Sequence, residues 1–300
     1  MTRVVKRLAL GVAVVAVAAA VAAGALVAAW LAGVRVPVAS GALHMRVEKL
    51  AVAEATANTP GGTFYVALIG NDARSGRGPA RGDALHLVGV NPQAGAASIL
   101  NVPRDTCWRG GKINRAHNDG PRAQANALGE LAGVPVSYVV SANFEEFQRL
   151  VDDMGGLQID VPTPMDDHYS GAVFSAGPHR MTGAQALAFS RNRHDFPSGD
   201  LQRTANQGLV ILAGLRQLQA EAKGPLGEFT AAASLVRHTQ LDGLGVADVW
   251  RLGRIAHRLD PARVESVTVP TGGGGGCMGL GGAAAGLFAD FADDAVLQAH

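Results

Sequence analysis

The first pattern along the chain is a long stretch with no polar alternation. Residues 8–34 run 27 positions without one charged side chain. At ~1.5 Å per residue that is about 40 Å of helix, enough to cross a hydrocarbon core of ~30 Å with tilt. Arg3, Lys6 and Arg7 precede it. This predicts a cytoplasmic N-terminus at 1–7, a single transmembrane anchor at 8–34, and the rest of the chain outside the cytoplasmic membrane. A cleaved signal peptide is the competing reading, since Ala-x-Ala sites abound. The run exceeds an h-region of ~7–15 residues, which favours an uncleaved anchor. Residues 35–62 have mixed polarity, end in "ANTPGG", and read as an extracytoplasmic linker. One domain is expected at 63–300.

Within that domain the periodicity changes repeatedly. "TFYVALIG" is a β-branched and aromatic run closed by Gly70, a predicted strand. "ALHLVGV" and "AASILNV" flank an Asn-Pro turn signal and predict a hairpin. "PRAQANALGELAGV" predicts a helix with Pro121 in its first turn and Gly133 past its end. "SYVVSA" and "LQIDV" predict strands. Between them Asn143 caps a helix whose Phe144, Phe147, Leu150, Val151 and Met154 share a face. Thr182 caps "TGAQALAF", and a long helix begins near Asp200, itself a natural N-cap. Two amphipathic helices follow near 228–237 and 246–258, then a strand at "RVESVTVP". The Gly-rich stretch 271–286 reads as a mobile loop, and "LFADFADDAVLQ" as a closing helix. Strands alternating with helices imply a layered α/β sheet covered on both faces. The early hairpin makes that sheet mixed.

Charge excludes one class. The chain carries 26 basic and 25 acidic side chains. Only three basic groups precede the linker and no acidic one does, so the outer part has a net charge of about −2, which argues against a nucleic-acid binder. Cys107 and Cys277 both fall on the outer side, where disulfides persist. Each sits in a loop, and they are expected to be joined. No metal-type Cys/His spacing, G-x-S-x-G or P-loop occurs.

The charges that remain are concentrated. "SRNRHDFPSGDLQRTANQ" holds Arg191, Arg193 and Arg203 around a Pro-Ser-Gly break. At 100° per residue, Asp200, Arg203 and Gln207 fall within about 60° on one helical stripe. If Arg191 and Arg193 lie on extended chain, they point the same way. A helix N-terminus with converging guanidiniums suits a phosphate group. A surface ion-pair network with Asp195 and Asp200 is the plainer reading of this segment alone. Asp72, Arg81, Asp83, Arg104 and Asp105 lie at predicted strand ends, where open α/β sheets keep their sites. Asp72 and Asp83 flank a ten-residue loop, a carboxylate pair suited to Mg²⁺ beside a phosphate. Lys112 and Asn114 read as a structural turn, and His117 and His194 as non-catalytic.

The ordered set "LIGNDAR … RGDA … NVPRDT … GKIN … SRNR … GDLQRTANQ" behind an N-terminal anchor resembles the LytR-CpsA-Psr family, over about 63–218. The resemblance implies a three-layer α/β/α sandwich with an apolar tunnel for a lipid. It also implies an extracytoplasmic phosphotransferase moving a glycopolymer from a polyprenyl-pyrophosphate carrier to peptidoglycan. Asp72 and Asp83 match the family's Mg²⁺-associated aspartates. Arg81, Arg104, Arg191, Arg193, Arg203 and Gln207 match its pyrophosphate-facing residues, with Asp200 heading their helix. A muramic-acid hydroxyl would attack the sugar-proximal phosphorus, with Asp83 positioned to orient or deprotonate it and Arg191 and Arg193 acting on the transition state. Ala84 and Asn206 depart from the family pattern. Two other functions stay open: a polyprenyl-pyrophosphate phosphatase using water, and a non-catalytic membrane-tethered cell-wall binding module.

Overall fold

A computed structural model describes residues 45–50, 62–72, 81–221, 239–273 and 275–298. The anchor expected at 8–34 and the helix expected near 228–237 lie outside these residues. Among the described residues no helix is long and apolar enough to cross a membrane.

In chain order, β1 (Met45–Lys49), β2 (Phe64–Asn71), β3 (Gly82–Asn91) and β4 (Ala96–Asn101) precede the two-residue strands β5 (Cys107–Trp108) and β6 (Gly111–Lys112). Helix α1 (Pro121–Ala132), β7 (Val136–Asn143) and α2 (Phe144–Asp153) follow. Short strands β8 (Leu157–Val161), β9 (Met165–Asp167), β10 (Ala172–Phe174) and β11 (Gly177–Met181) lead to α3 (Gly183–Arg191) and α4 (Asp200–Glu221). The chain continues through β12 (Thr239–Asp242), α5 (Val246–Arg258) and β13 (Val264–Thr268). It closes with β14 (Thr271–Gly272), β15 (Gly279–Leu280) and α6 (Ala284–Asp294).

Seven strands form the central sheet in the order β12-β1-β7-β2-β3-β4-β13. It is mixed: β2, β3 and β4 are successively antiparallel, while β2–β7, β4–β13 and β1–β12 are parallel. Side-chain alternation divides its two faces. Tyr65, Ala67 and Ile69 of β2 join Leu85 and Leu87 of β3 in a core shared with Leu128 of α1 and Phe291 of α6. Phe64, Val90 and Ile99 point the other way, into a core with Ile211 and Leu212 of α4 and Leu252 and Ile255 of α5. The result is helix, sheet and helix in three layers.

Local chemistry sets the helix ends. The Asn143 side chain accepts from the Glu146 N–H at 2.9 Å, while Glu146 accepts from the Asn143 N–H at 2.7 Å, a reciprocal cap on α2. Thr182 and Gln185 do the same for α3. Gly133 stops α1 at φ 71°, a left-handed conformation that suits glycine.

Three expectations need correction. The segment 35–62, expected as a linker, supplies β1, which lies between β12 and β7, one strand in from the edge of the sheet. "MRVEK" lacks an apolar run because its charges have partners: Arg46 with Asp242, Glu48 with Arg122, and Lys49 with Asp248 at 3.2 Å. Strand β8 leaves the central sheet and pairs with β11. With α2, α3, β9, β10 and the middle of α4 it encloses a separate apolar cluster around Phe189 and Met181. The stretch 271–286, expected as a mobile loop, holds the β14–β15 hairpin and the start of α6. Met278 donates to the Asp105 carbonyl at 2.8 Å and accepts from the Cys107 N–H at 2.7 Å. Cys107 and Cys277 are disulfide-bonded with their Cα atoms 5.0 Å apart.

Helix α4 docks on the sheet through Gly208. A Cβ there would collide with Ser266 Oγ and lie 2.7 Å from Asn101 Nδ2.

Two outcomes are expected. Replacing both cysteines by serine should destabilise the fold by about 2–4 kcal/mol, read as a lower denaturation midpoint, because the bridge closes a long loop. Gly208→Ala should also lower the midpoint, although glycine-to-alanine in an open helix gains about 0.5–1 kcal/mol. A midpoint raised by Gly208→Ala would show that α4 can lift off the sheet freely.

Candidate functional site

A cavity of about 790 Å³ opens where the C-terminal ends of β2 and β7 and the N-terminal end of β3 meet α2, α3 and α4. Its lining is of two kinds. Leu68, Val140, Phe144, Phe147, Leu187 and Ile211 make an apolar wall. Asp72, Asp83, Arg104, Arg191, Arg193 and Arg203 line the same cavity, bringing together charges from the ends of β2, β3, β4, α3 and α4.

Arg104 leaves the end of β4 and donates from Nη1 to Asp83 Oδ1 at 2.6 Å. Asp105 and Asp200 lie 3.9 Å from its Nε. Burial works against its charge, but the Asp83 hydrogen bond and the three surrounding carboxylates raise its pKa overall. Arg203 sits one turn into α4, 7% exposed. Its Nη2 lies 2.7 Å from Asp200 Oδ1, yet off the hydrogen-bonding direction. Burial pushes the Arg203 pKa down, and Arg104 and Arg193 add to this against the pull of Asp200 and Asp83. Arg104 Nε and Arg203 Nε and Nη2 are buried without hydrogen-bond acceptors. Buried donors are rarely left so, and here three of them belong to cations at one end of a cavity.

The remaining expected residues divide. Asp72 lines the cavity, and its Oδ1 accepts the backbone N–H of Arg81 at 2.9 Å. The Arg81 side chain is exposed and is not among the residues that line the cavity. Asp200 is the first residue of α4 rather than its cap: the Gly199 carbonyl already accepts from the Arg203 N–H. Its carboxylate faces Arg203 and Arg104 and does not line the cavity, so it orients guanidiniums instead of meeting an anion. Arg191 and Arg193 both reach the cavity, but not both from extended chain. Arg191 ends α3, with its guanidinium 5.1 Å from the Phe144 ring centre, and Asn192 leaves the helix in an extended conformation between them. Lys112 pairs with Asp105 at 2.7 Å. Ala84 lines the cavity, packed close to Gly70. Asn206 is fully buried, accepts from Gln202, and points away from it.

The sequence reading missed the floor. His86, 3% exposed, lines the cavity and hydrogen-bonds Asn101 Oδ1 through Nδ1 at 2.8 Å. Asn101 in turn donates to Ser266 Oγ at 2.9 Å, and His86 also engages Gln207. A histidine inside "ALHLVGV" was the available signal. It missed Asp167 and Tyr169 as well, because "DDHYSG" reads as a plain turn. Asp167 is buried against His194 and Tyr169 lines the cavity.

The α/β domain thus carries, at one end of its sheet, a cavity lined by both cationic and apolar side chains. The LytR_cpsA_psr family model matches residues 37–281, and the chain belongs to that family. Curated relatives include the polyisoprenyl-teichoic acid–peptidoglycan teichoic acid transferases TagU of Bacillus mycoides (strain KBAB4) and of Bacillus subtilis (strain 168). The first is 33% identical over 159 residues, covering 51% of each chain; the second is 32% identical over 155 residues, covering 49% of this chain and 50% of the other. The chain thus spans about half the length of the curated relatives it matches. Among solved structures, a LytR-Csp2A-Psr enzyme from Actinomyces oris is 26% identical with a TM-score of 0.63, covering 79% of this chain and 92% of the other. Bacillus subtilis TagV shares the fold at 20% identity and a TM-score of 0.63, covering 75% and 94%.

Burial lowers the His86 pKa from 6.5 to about 4, against its hydrogen bonds to Asn101 and Gln207. The unfolded chain therefore takes up a proton that the folded one refuses. The stability from a neutral His86 is full above about pH 6.5 and shrinks as pH falls toward 4, by on the order of 3 kcal/mol in all. Urea midpoints measured from pH 7 to pH 4.5 should fall in wild type, and His86→Gln should flatten that slope.

Proposed function

We propose that the chain is a membrane-anchored, extracytoplasmic phosphotransferase. It takes a glycopolymer from a polyprenyl-pyrophosphate carrier and attaches it to peptidoglycan. The observation that carries this reading is the juxtaposition of acceptor-less buried guanidinium donors with an apolar groove. A free phosphate needs no groove, and a neutral lipid needs no arginines. A lipid pyrophosphate satisfies both. The TagU relatives' names, which specify a polyisoprenyl-linked donor and peptidoglycan, agree with these classes.

The donor set suits Mg²⁺. Asp72 and Asp83 both line the cavity, and no larger cluster of His, Cys, Asp or Glu occurs among the described residues. Two carboxylates with substrate phosphate oxygens and water are an ordinary Mg²⁺ environment, so the metal would arrive with its substrate. Held there, Mg²⁺ would neutralise pyrophosphate charge. Arg104 and Arg203 grip the pyrophosphate from the buried end, each able to direct a fork at phosphate oxygens. Arg191 and Arg193 lie on the open side, where charge grows on the phosphorus during transfer. Phe144, Phe147 and Ile211 shield the polyprenyl chain from water.

The test is transfer of a labelled glycan from polyprenyl pyrophosphate to peptidoglycan fragments, with and without Mg²⁺. Arg191→Ala should lower turnover by about 10²–10³. Arg191→Lys should recover part of that, since charge returns without the fork. Asp83→Asn should raise the Mg²⁺ needed for half-maximal rate. Label released only to water would establish a phosphatase. Tight donor binding without turnover would establish a binding module. Wild-type rates in both Arg191→Ala and Asp83→Asn would make the charge cluster structural.

A further inference from the structure

The turn between β9 and β10 brings another carboxylate to the rim of the same cavity. Asp167 is 2% exposed. It accepts the backbone N–H groups of Tyr169 at 2.9 Å and Arg193 at 3.3 Å. Both of its oxygens also face His194 Nδ1, at 3.1 and 3.0 Å. Burial pushes its pKa up, but the His194 and N–H hydrogen bonds outweigh that and hold it well below the usual carboxylate range. An ionised carboxylate only accepts hydrogen bonds, so His194 Nδ1 carries the proton. In the neutral ring Nε2 then keeps its lone pair. The imidazole is partly exposed and lines the cavity beside Arg193. Tyr169, 82% exposed, places its ring centre 4.5 Å from that of the imidazole. Asp83, the residue the sequence marked as base, gives one oxygen to Arg104 and is already the Mg²⁺ ligand of the reading above.

We propose that His194, oriented by Asp167, is the general base toward the acceptor hydroxyl, and that Tyr169 supplies the surface on which the acceptor sugar rests. This rests on the transferase reading above and fills the one role it leaves open. The acceptor O–H proton passes to His194 Nε2. The oxygen's electron pair forms a bond to the sugar-proximal phosphorus. The bridging P–O bond breaks, and its electron pair leaves on polyprenyl phosphate. The imidazolium then returns its proton to water. Tyr169 offers an apolar ring face to sugar C–H groups and a hydroxyl at its edge.

Charged or titratable groups on the two segments that meet here are Asp166, Asp167, His168 and Tyr169 on one side, and Arg191, Arg193 and Asp195 beside His194 on the other. The test uses the full chain in detergent or vesicles with labelled donor and peptidoglycan fragments, and measures kcat against pH. His194→Gln should lower kcat by about 10²–10⁴ and abolish the acidic limb of the profile. Affinity for polyprenyl pyrophosphate alone should not change. Imidazole should partly restore His194→Ala. Tyr169→Ala should raise the acceptor KM without changing donor affinity. A His194→Gln protein that keeps the wild-type rate and acidic limb would overturn the dyad while leaving the transferase intact. A wild-type protein that transfers nothing to peptidoglycan would overturn the proposed function, and the dyad's role with it.

Discussion

The contact on which the site depends is the one that leaves no room for a side chain at residue 208. Helix α4 approaches the sheet so closely that Gly208 lies against Asn101 and Ser266. That approach fixes more than a helix position. Asn101 is held between Ser266 and His86, and His86 reaches Gln207, one residue before the contact. One turn earlier Arg203 comes over the strand ends, and one turn before that Asp200 meets Arg104. A helix standing farther off would keep its own hydrogen bonds and lose all of these.

What the contact assembles is costly without a ligand. Burying guanidiniums against carboxylates is a weak source of stability, because desolvation offsets attraction. Here the pairing is also incomplete. Arg203 faces Asp200 at a poor angle, and its Nε has no acceptor. An interior arranged for stability alone would have placed acceptors there or omitted the charge. The deficit makes sense if oxygen atoms of an anionic ligand complete the set.

Much of the scaffold was legible because its determinants are local. Asn143 with Glu146, Thr182 with Gln185, and Gly133 each act within a turn of their own position. The β3–β4 hairpin was legible for the same reason: the Asn91 side chain holds the Ala94 N–H at 3.0 Å. Pairings between distant segments were not. The burial of β8 alternates as it would in any half-covered sheet, so nothing in "LQIDV" reveals that its partner is β11. Strand β1 is hidden because the groups that neutralise its charges come from α1, β12 and α5. In the site, the cations were visible as types at spacings. Arg81 shows the limit of that view: its backbone serves Asp72 while its side chain faces solvent. Asp167 was invisible because its role depends on a histidine 27 residues later.

The bridge between Cys107 and Cys277 has a topological consequence. It turns the chain between them into a covalent ring, with 170 residues separating the two cysteines in sequence. Arg191, Arg193, Arg203, Gln207, Asp167 and His194 all ride on that ring, whereas Asp72, Asp83 and Arg104 precede it. A peptidase that cuts once inside the ring opens it but frees no fragment. The two halves of the cavity stay tied through sulfur, at the place where Met278 rests on Asp105 and Cys107. A cut between Arg104 and Cys107 would instead separate the aspartates from the ring, leaving only non-covalent packing to hold the site together.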